Sequence, residues 1–183
     1  MRKSLEMKTS ILDKRGAFLT LLVLALGGFM AVNLGSFPLS VPWMRQLAGG
    51  RPILDMQFWY SASTVYSLFD VLGEAGRRAY LQLLWTIDLL LPMLFGLFLS
   101  SAIRRTAFRR LNRLPFLASG FDYAENIAIS LLLVRYPVHM PALVAISSMF
   151  TLLKQMFYAA GVMLALAGAG RSLYARISLT TFP

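Results

Sequence analysis

Three polar residues with helical spacing, Asp122, Glu125 and Asn126, lie in an otherwise apolar stretch of this 183-residue chain. Separations of three and four residues place all three side chains on one face of a helix. An acidic group inside a membrane-spanning helix costs about 2.5 kcal/mol or more, so it persists where it faces a protein interior or a water-filled cavity. Because paired carboxyl groups can act as general acid and general base, Asp122 and Glu125 are candidate catalytic residues.

Two more ionisable residues lie in neighbouring apolar segments. Asp88 precedes Pro92 by four residues, and Lys154 lies in the last apolar segment. Proline has no N–H, so the carbonyl of residue 88 lacks its helical donor and a kink is expected beside the carboxylate. The depth of each residue in the bilayer can be measured from the predicted cytoplasmic end of its span, at a rise of about 1.5 Å per residue. The depths of Glu125, Lys154 and Asp88 are then roughly 16, 21 and 23 Å, and that of Asp122 is roughly 12 Å. The sequence therefore predicts a polar site near the middle of the bilayer.

One ammonium group cannot neutralise three carboxylates. We expect Lys154 to pair with Glu125 or Asp88, which are nearest in depth, and the remaining acids to take a proton, a cation or water. Such a surplus of acid suits an acid/base enzyme, a proton-coupled carrier or a receptor for an amine. Asp88, Asp122 and Glu125 are the catalytic candidates. The candidate ligand-binding residues are polar side chains of the apolar segments: Asn33, Tyr123, Asn126, Thr151, Lys154 and Tyr158.

Other kinds of site lack their sequence signatures. The chain has no cysteine and one histidine, so it offers no cluster of metal ligands with suitable spacing. It has no phosphate-binding loop, nucleotide fingerprint or Ser/His/Asp set. His139 lies between Pro137 and Pro141 and is interpreted as an interfacial residue. We therefore predict no metal and no cofactor.

The composition indicates a membrane protein. Hydrophobic residues make up 57% of the chain and charged residues 14%, whereas soluble domains have about 45–50% and about 25%. The net charge of +10 comes from residues at the ends of apolar segments. This distribution indicates membrane topology rather than nucleic-acid binding, and it adds anionic lipids to the expected contacts.

Apolar runs of spanning length predict a single membrane domain over residues 1–183. The predicted spans are about 17–36, 81–103, 114–134 and 142–168, and residues 37–80 form an interfacial segment. Within that segment an amphipathic helix is expected from about residue 61 to residue 80, with Ser61 or Ser63 as its N-cap. The predicted fold class is all-α: an integral membrane four-helix bundle with an extra-membrane amphipathic helix between spans 1 and 2.

The basic residues predict the orientation of the bundle. Twelve of them lie on the side of the N-terminus, the 104–113 loop and the tail, five lie on the opposite side, and Lys154 lies inside. This excess places both termini in the cytoplasm, most simply at a bacterial inner membrane. The first apolar run is too long for a typical signal peptide and is interpreted as an uncleaved span.

Three functions remain open from these residues. The first is a midplane acidic pocket that binds or isomerises a lipophilic or amine ligand through paired carboxylates. The second is an accessory subunit whose polar core only fixes helix packing and whose outer faces contact partner membrane subunits. The third is a proton or cation pathway, although no inverted repeat is evident. Membrane lipids are expected partners in each case, and nucleic acid in none.

Two resemblances accompany these patterns. Asp122-x-x-Glu125-Asn126, followed by Arg135-Tyr136-Pro137, is similar to a pattern in uncharacterised bacterial four-span proteins, which implies no function.

The second resemblance is one of layout, to the emopamil-binding-protein superfamily, which includes sterol isomerases and the sigma-2 receptor. That family has four or five spans, cytoplasmic termini, a broken segment after the first span and intramembrane acids. Here the run from Asn33 to Pro38, and Asp88 before Pro92, fall where the family has polar residues before a proline. The first span has Asn33 where an acid is expected, and the proline spacing differs. The resemblance implies binding or double-bond isomerisation of a hydrophobic ligand by paired acids.

Overall fold

The structure is a computed structural model that describes residues 15–180, without the side chains of residue 172 and residues 175–180. All regular elements in this range are helices, which confirms the predicted all-α fold class. Short 3-10 turns lie at Leu54–Met56 and Arg109–Leu111. The α-helices are α1 (Arg15–Leu34), α2 (Val41–Leu47), α3 (Ala62–Trp85), α4 (Ile87–Arg104), α5 (Leu114–Arg135) and α6 (Pro141–Thr180).

Four helical segments of the described range are long and apolar enough to cross a membrane. The protein is thus an integral membrane protein built as a helical bundle, as the composition predicts. Three predicted spans correspond to α1, α5 and α6, although α6 continues well beyond residue 168. The segments are Arg15–Leu34, Ala62–Arg104, Arg109–Arg135 and Pro141–Arg171.

The second span differs from its prediction. A boundary was expected between residues 80 and 81, but α3 continues to Trp85 and the chain breaks at Thr86, where φ is −121° and ψ is −83°. The Thr86 hydroxyl donates to the Gln82 carbonyl at 2.6 Å. This bond to the preceding turn competes with the helical pattern and favours a break there. Helix α3 therefore ends about five residues later than predicted, and the break lies two residues before Asp88.

Helix α3 supplies much of the hydrophobic core. Its fully buried Phe69 and Tyr80 pack with Ile129 of α5 and with Met44 of α2. The predicted N-cap is confirmed at Ser61, whose hydroxyl accepts a hydrogen bond from the Thr64 N–H at 3.2 Å. The segment predicted to be interfacial is thus packed firmly against the spans.

Close packing brings α4 against α5 beside the site. At Gly96 an added Cβ would lie 2.7 Å from Ser119 Oγ, so only glycine fits there without a shift. Ser119 Oγ also donates to the Pro92 carbonyl at 2.7 Å. These contacts fix α4, which carries Asp88, against α5.

Candidate functional site

The centre of the polar site is Lys154 on α6. Its Nζ lies 2.9 Å from Asp122 Oδ1 and 2.7 Å from Glu125 Oε2. The second contact is an ion pair without hydrogen-bond geometry. Both acids are one helical turn apart on the same face of α5, and all three residues are buried. One ammonium therefore bridges two carboxylates, and of the two acids expected to pair with it Glu125 does so and Asp88 does not.

Glu125 is enclosed by protein groups. It is fully buried, and its Oε1 accepts a hydrogen bond from Thr151 Oγ1. Tyr60 OH lies 3.2 Å from Thr151 Oγ1 and 2.7 Å from Ser147 Oγ. Burial, and next the charge of Glu125, raise the pKa of the Tyr60 phenol above its usual value. Glu125 and Thr151 thus belong to a packed network behind Lys154.

A cavity of about 300 Å³ lies on the other side of Lys154. Its polar wall includes Asp55, Asp88, Asp122 and Lys154, and Asn33 and Tyr158 also line it. Its apolar wall contains residues of α1, α2 and α4, together with Met56: Phe29, Val32, Val41, Leu91, Pro92 and Phe95. Two of the three predicted catalytic acids therefore line one cavity, whereas Glu125 does not.

Asp88 is half-buried and, unlike the buried acids Asp122 and Glu125, it lies outside the ion pairs of Lys154. Its Oδ2 is shielded from solvent and has no hydrogen-bond partner within the part of the chain that is described. Asn126 Nδ2 donates to the main-chain carbonyl of Asp88 at 3.3 Å. Because Pro92 has no N–H, this carbonyl lacks its helical donor, and the asparagine replaces it. Asn126 therefore positions the turn that carries Asp88 rather than lining the cavity.

The remaining ligand-binding candidates fall into two groups. Tyr158 OH lies 3.4 Å from Asp122 Oδ2, and Asn33, although it lines the cavity, donates to the Phe29 carbonyl of its own helix at 2.9 Å. Tyr123 donates to the Leu89 carbonyl at 2.9 Å and so links α5 to α4. Tyr123, like Thr151 and Asn126, lies outside the cavity lining.

Sequence reasoning missed Asp55 and its partner Tyr80. Asp55 lines the cavity, and its Oδ1 accepts a hydrogen bond from the buried Tyr80 OH at 2.6 Å. The same phenol oxygen accepts from the Leu54 N–H at 3.1 Å. The sequence feature that could have identified Asp55 is a single acidic residue between Leu54 and Met56, in the segment predicted to be interfacial.

The charges of the cavity are unbalanced. Three carboxyl groups line it, and the one ammonium beside them also contacts Glu125. Among the described residues, no group of three or more His, Cys, Asp or Glu side chains could hold a metal ion. A buried carboxylate without a cation is relieved by a proton, an external cation or a hydrogen-bond donor.

Fold and site together define an α-helical integral membrane protein with an acid-lined cavity between its helices. No protein-family model, curated protein or solved structure matches the chain. The resemblance to the emopamil-binding-protein superfamily stays a prediction.

Proposed function

We propose that this protein binds a lipophilic ligand with a cationic or hydrogen-bond-donating end in the cavity beside Lys154. The observation that carries the proposal is Asp88 Oδ2, a buried carboxylate oxygen without a partner in the described structure. Buried polar atoms are normally paired, so an orphan at a cavity indicates a group that a ligand completes. The volume of about 300 Å³ is at the lower end of ligand pockets.

The two walls of the cavity support an amphiphilic ligand. Phe29, Leu91 and Phe95 provide an apolar surface, and the carboxyl groups of Asp88 and Asp122 lie on the other side. The apolar body of the ligand would pack against the first wall, where it is removed from water, and its positive end would offset the surplus of acid on the second wall.

Double-bond isomerisation is the second candidate, and it is favoured by the presence of two carboxyl groups on one wall. Asp122 is ion-paired with Lys154, whereas no ion pair is formed by Asp88 in the described structure. A carboxylic acid can give a proton to one carbon while a carboxylate removes a proton from another, which moves the double bond without net loss of atoms.

Neutralising Asp88 gives the direct test. In Asp88→Asn we expect at least about tenfold weaker binding of dodecylamine, because the unpaired carboxylate is replaced by a neutral amide. Without ligand, the same variant is expected to unfold at an equal or higher temperature, since a buried charge without a cation is removed. Equilibrium binding to the purified protein and thermal unfolding in detergent measure the two effects.

Asp70→Asn is the matched control. Asp70 is exposed and accepts a hydrogen bond from Tyr136, away from the cavity, so its neutralisation should leave dodecylamine affinity unchanged. Dodecanol tests the charge of the ligand and should bind more weakly than the amine. A loss of stability in Asp88→Asn with unchanged affinity would overturn the proposal and favour a purely structural network.

We further propose that both termini face the cytoplasm and that the membrane is a bacterial inner membrane. The predominance of basic residues on the side of the 104–113 loop supports this orientation. Arg110 and Arg135 lie near opposite ends of α5 and both are exposed. A chemical label attached at each of these two positions therefore shows which side of the membrane that end of α5 faces.

The absence of cysteine from the sequence makes this orientation testable with single-cysteine variants. In spheroplasts, a membrane-impermeant maleimide is expected to label Arg135→Cys at once and Arg110→Cys only after permeabilisation. Mass shift of the labelled protein on a gel measures the result. The reverse pattern would contradict the orientation.

A further inference from the structure

One end of the bundle is dominated by positive charge. Arginines occur at the start of α1, at the end of α4, in the α4–α5 connection and on α6, and the described residues of these segments include no acid. Glu6 and Asp13 precede α1 in the sequence, together with four basic residues. The arginines of this end are Arg15, Arg104, Arg105, Arg109, Arg110, Arg113 and Arg171.

A second cavity lies at this end. It has a volume of about 360 Å³ and is formed between Phe18 of α1, Ala102 of α4, Arg105, and Ala165 and Ala169 of α6. Because most of these side chains are small or aromatic, the walls are apolar apart from the guanidinium and a neighbouring hydroxyl. The cavity is separate from the acidic one, with which it shares no lining residue.

Stacking and close packing shape this cavity. The guanidinium carbon of Arg105 lies over the Phe18 ring, 4.6 Å from its centroid, so a cation–π contact holds the arginine at the cavity wall. Thr106 Oγ1 donates to the Ile103 carbonyl at 2.8 Å. At Gly168 an added Cβ would lie 2.3 Å from Thr106 Cβ, so α6 can approach the end of α4 only with glycine there.

We propose that this cavity binds the phosphate-bearing headgroup of an anionic phospholipid, with the acyl chains along the apolar wall. The cavity lies where spanning helices end, which is the depth of lipid headgroups. Arginine binds phosphate through two parallel N–H groups, and the surrounding arginines favour a negative ligand. A free phosphate ion would contact the guanidinium but not the apolar wall of the cavity. The combination of the two therefore favours a lipid.

The test uses the full chain in detergent, with phosphatidylglycerol and phosphatidylcholine as probes and native mass spectrometry as the readout. We expect the native protein to retain phosphatidylglycerol in preference to phosphatidylcholine. Arg105→Gln should reduce this preference about fivefold, since one arginine near the membrane surface is worth about 1 kcal/mol. Ala169→Leu, which fills the cavity and keeps every charge, should reduce retention of phosphatidylglycerol as well.

Arg110→Gln is the matched control, because it removes one exposed arginine from the same end outside the cavity. An equal loss in Arg110→Gln and Arg105→Gln would overturn the proposal in favour of general surface charge. Displacement of the lipid by an equal concentration of inorganic phosphate would also overturn it, since the site would then recognise a free anion. If Arg105→Gln does not fold, Ala169→Leu provides the test. Unchanged retention of phosphatidylglycerol in Ala169→Leu would then refute the proposed lipid site.

Discussion

Replacement of Lys154 by methionine is expected to lower the free energy of unfolding by about 3–5 kcal/mol, because it leaves buried charges without their partner. Lys154 Nζ contacts Asp122 at 2.9 Å and Glu125 at 2.7 Å, and both acids are buried. Methionine keeps most of the side-chain volume, so the loss of stability reflects the removed charge rather than a new cavity. Unfolding by sodium dodecyl sulfate in mixed micelles gives the free energy.

A triple variant separates charge from shape. Adding Asp122→Asn and Glu125→Gln to Lys154→Met removes all three charges and should recover much of the lost stability, since replacement of a whole buried ion pair is often nearly neutral. Arg78→Gln is the matched control, because Arg78 pairs with Glu74 in an exposed contact that contributes little. An equal loss in Arg78→Gln and Lys154→Met would contradict the bridging role of the lysine.

Tyr80→Phe is expected to lower the free energy of unfolding by about 1–3 kcal/mol, because it leaves two hydrogen-bonding groups unpaired. The fully buried phenol donates to Asp55 at 2.6 Å and accepts from the Leu54 N–H at 3.1 Å. Phenylalanine preserves the ring in the core, so the change isolates the hydroxyl. The same detergent titration measures the loss.

Tyr123→Phe provides the comparison for Tyr80→Phe. Tyr123 also donates one hydrogen bond, to the Leu89 carbonyl at 2.9 Å, but that bond is exposed and removal of the hydroxyl leaves no buried N–H or carboxylate unpaired. The loss in Tyr123→Phe should therefore be clearly smaller. Equal losses in the two variants would show that the Asp55–Tyr80 contact does not hold the connecting segment on the bundle.

The helices and the polar face of α5 could be predicted because both follow from local sequence. Apolar runs of spanning length predict α1, α5 and α6, and the spacing of Asp122 and Glu125 determines that they share a face. The N-cap at Ser61 follows from the same local chemistry. These features require no knowledge of how the helices pack.

The partners of the charged residues could not be predicted in the same way. Depth along the spans made Glu125 or Asp88 the nearest acid to Lys154, but the lysine contacts Asp122 as well as Glu125, and Asp88 remains apart. Depth fixes only one coordinate, whereas contact also depends on how each helix is rotated about its axis. Asp55 was missed for a related reason, because only tertiary packing brings its loop to the cavity.

Helix α1 has a consequence for the order of assembly. Ala25 is its single buried residue among those described, yet Phe29 and Val32 form part of the apolar wall of the acidic cavity. Its main contacts are with α4 and α2, and none of its residues belongs to the buried core around α3. Of the described helices α1 is made before the others, but α4, its main partner, follows only after the whole of α3. Helix α1 therefore cannot dock until α3 and α4 have been made, and the acidic cavity cannot form before that docking.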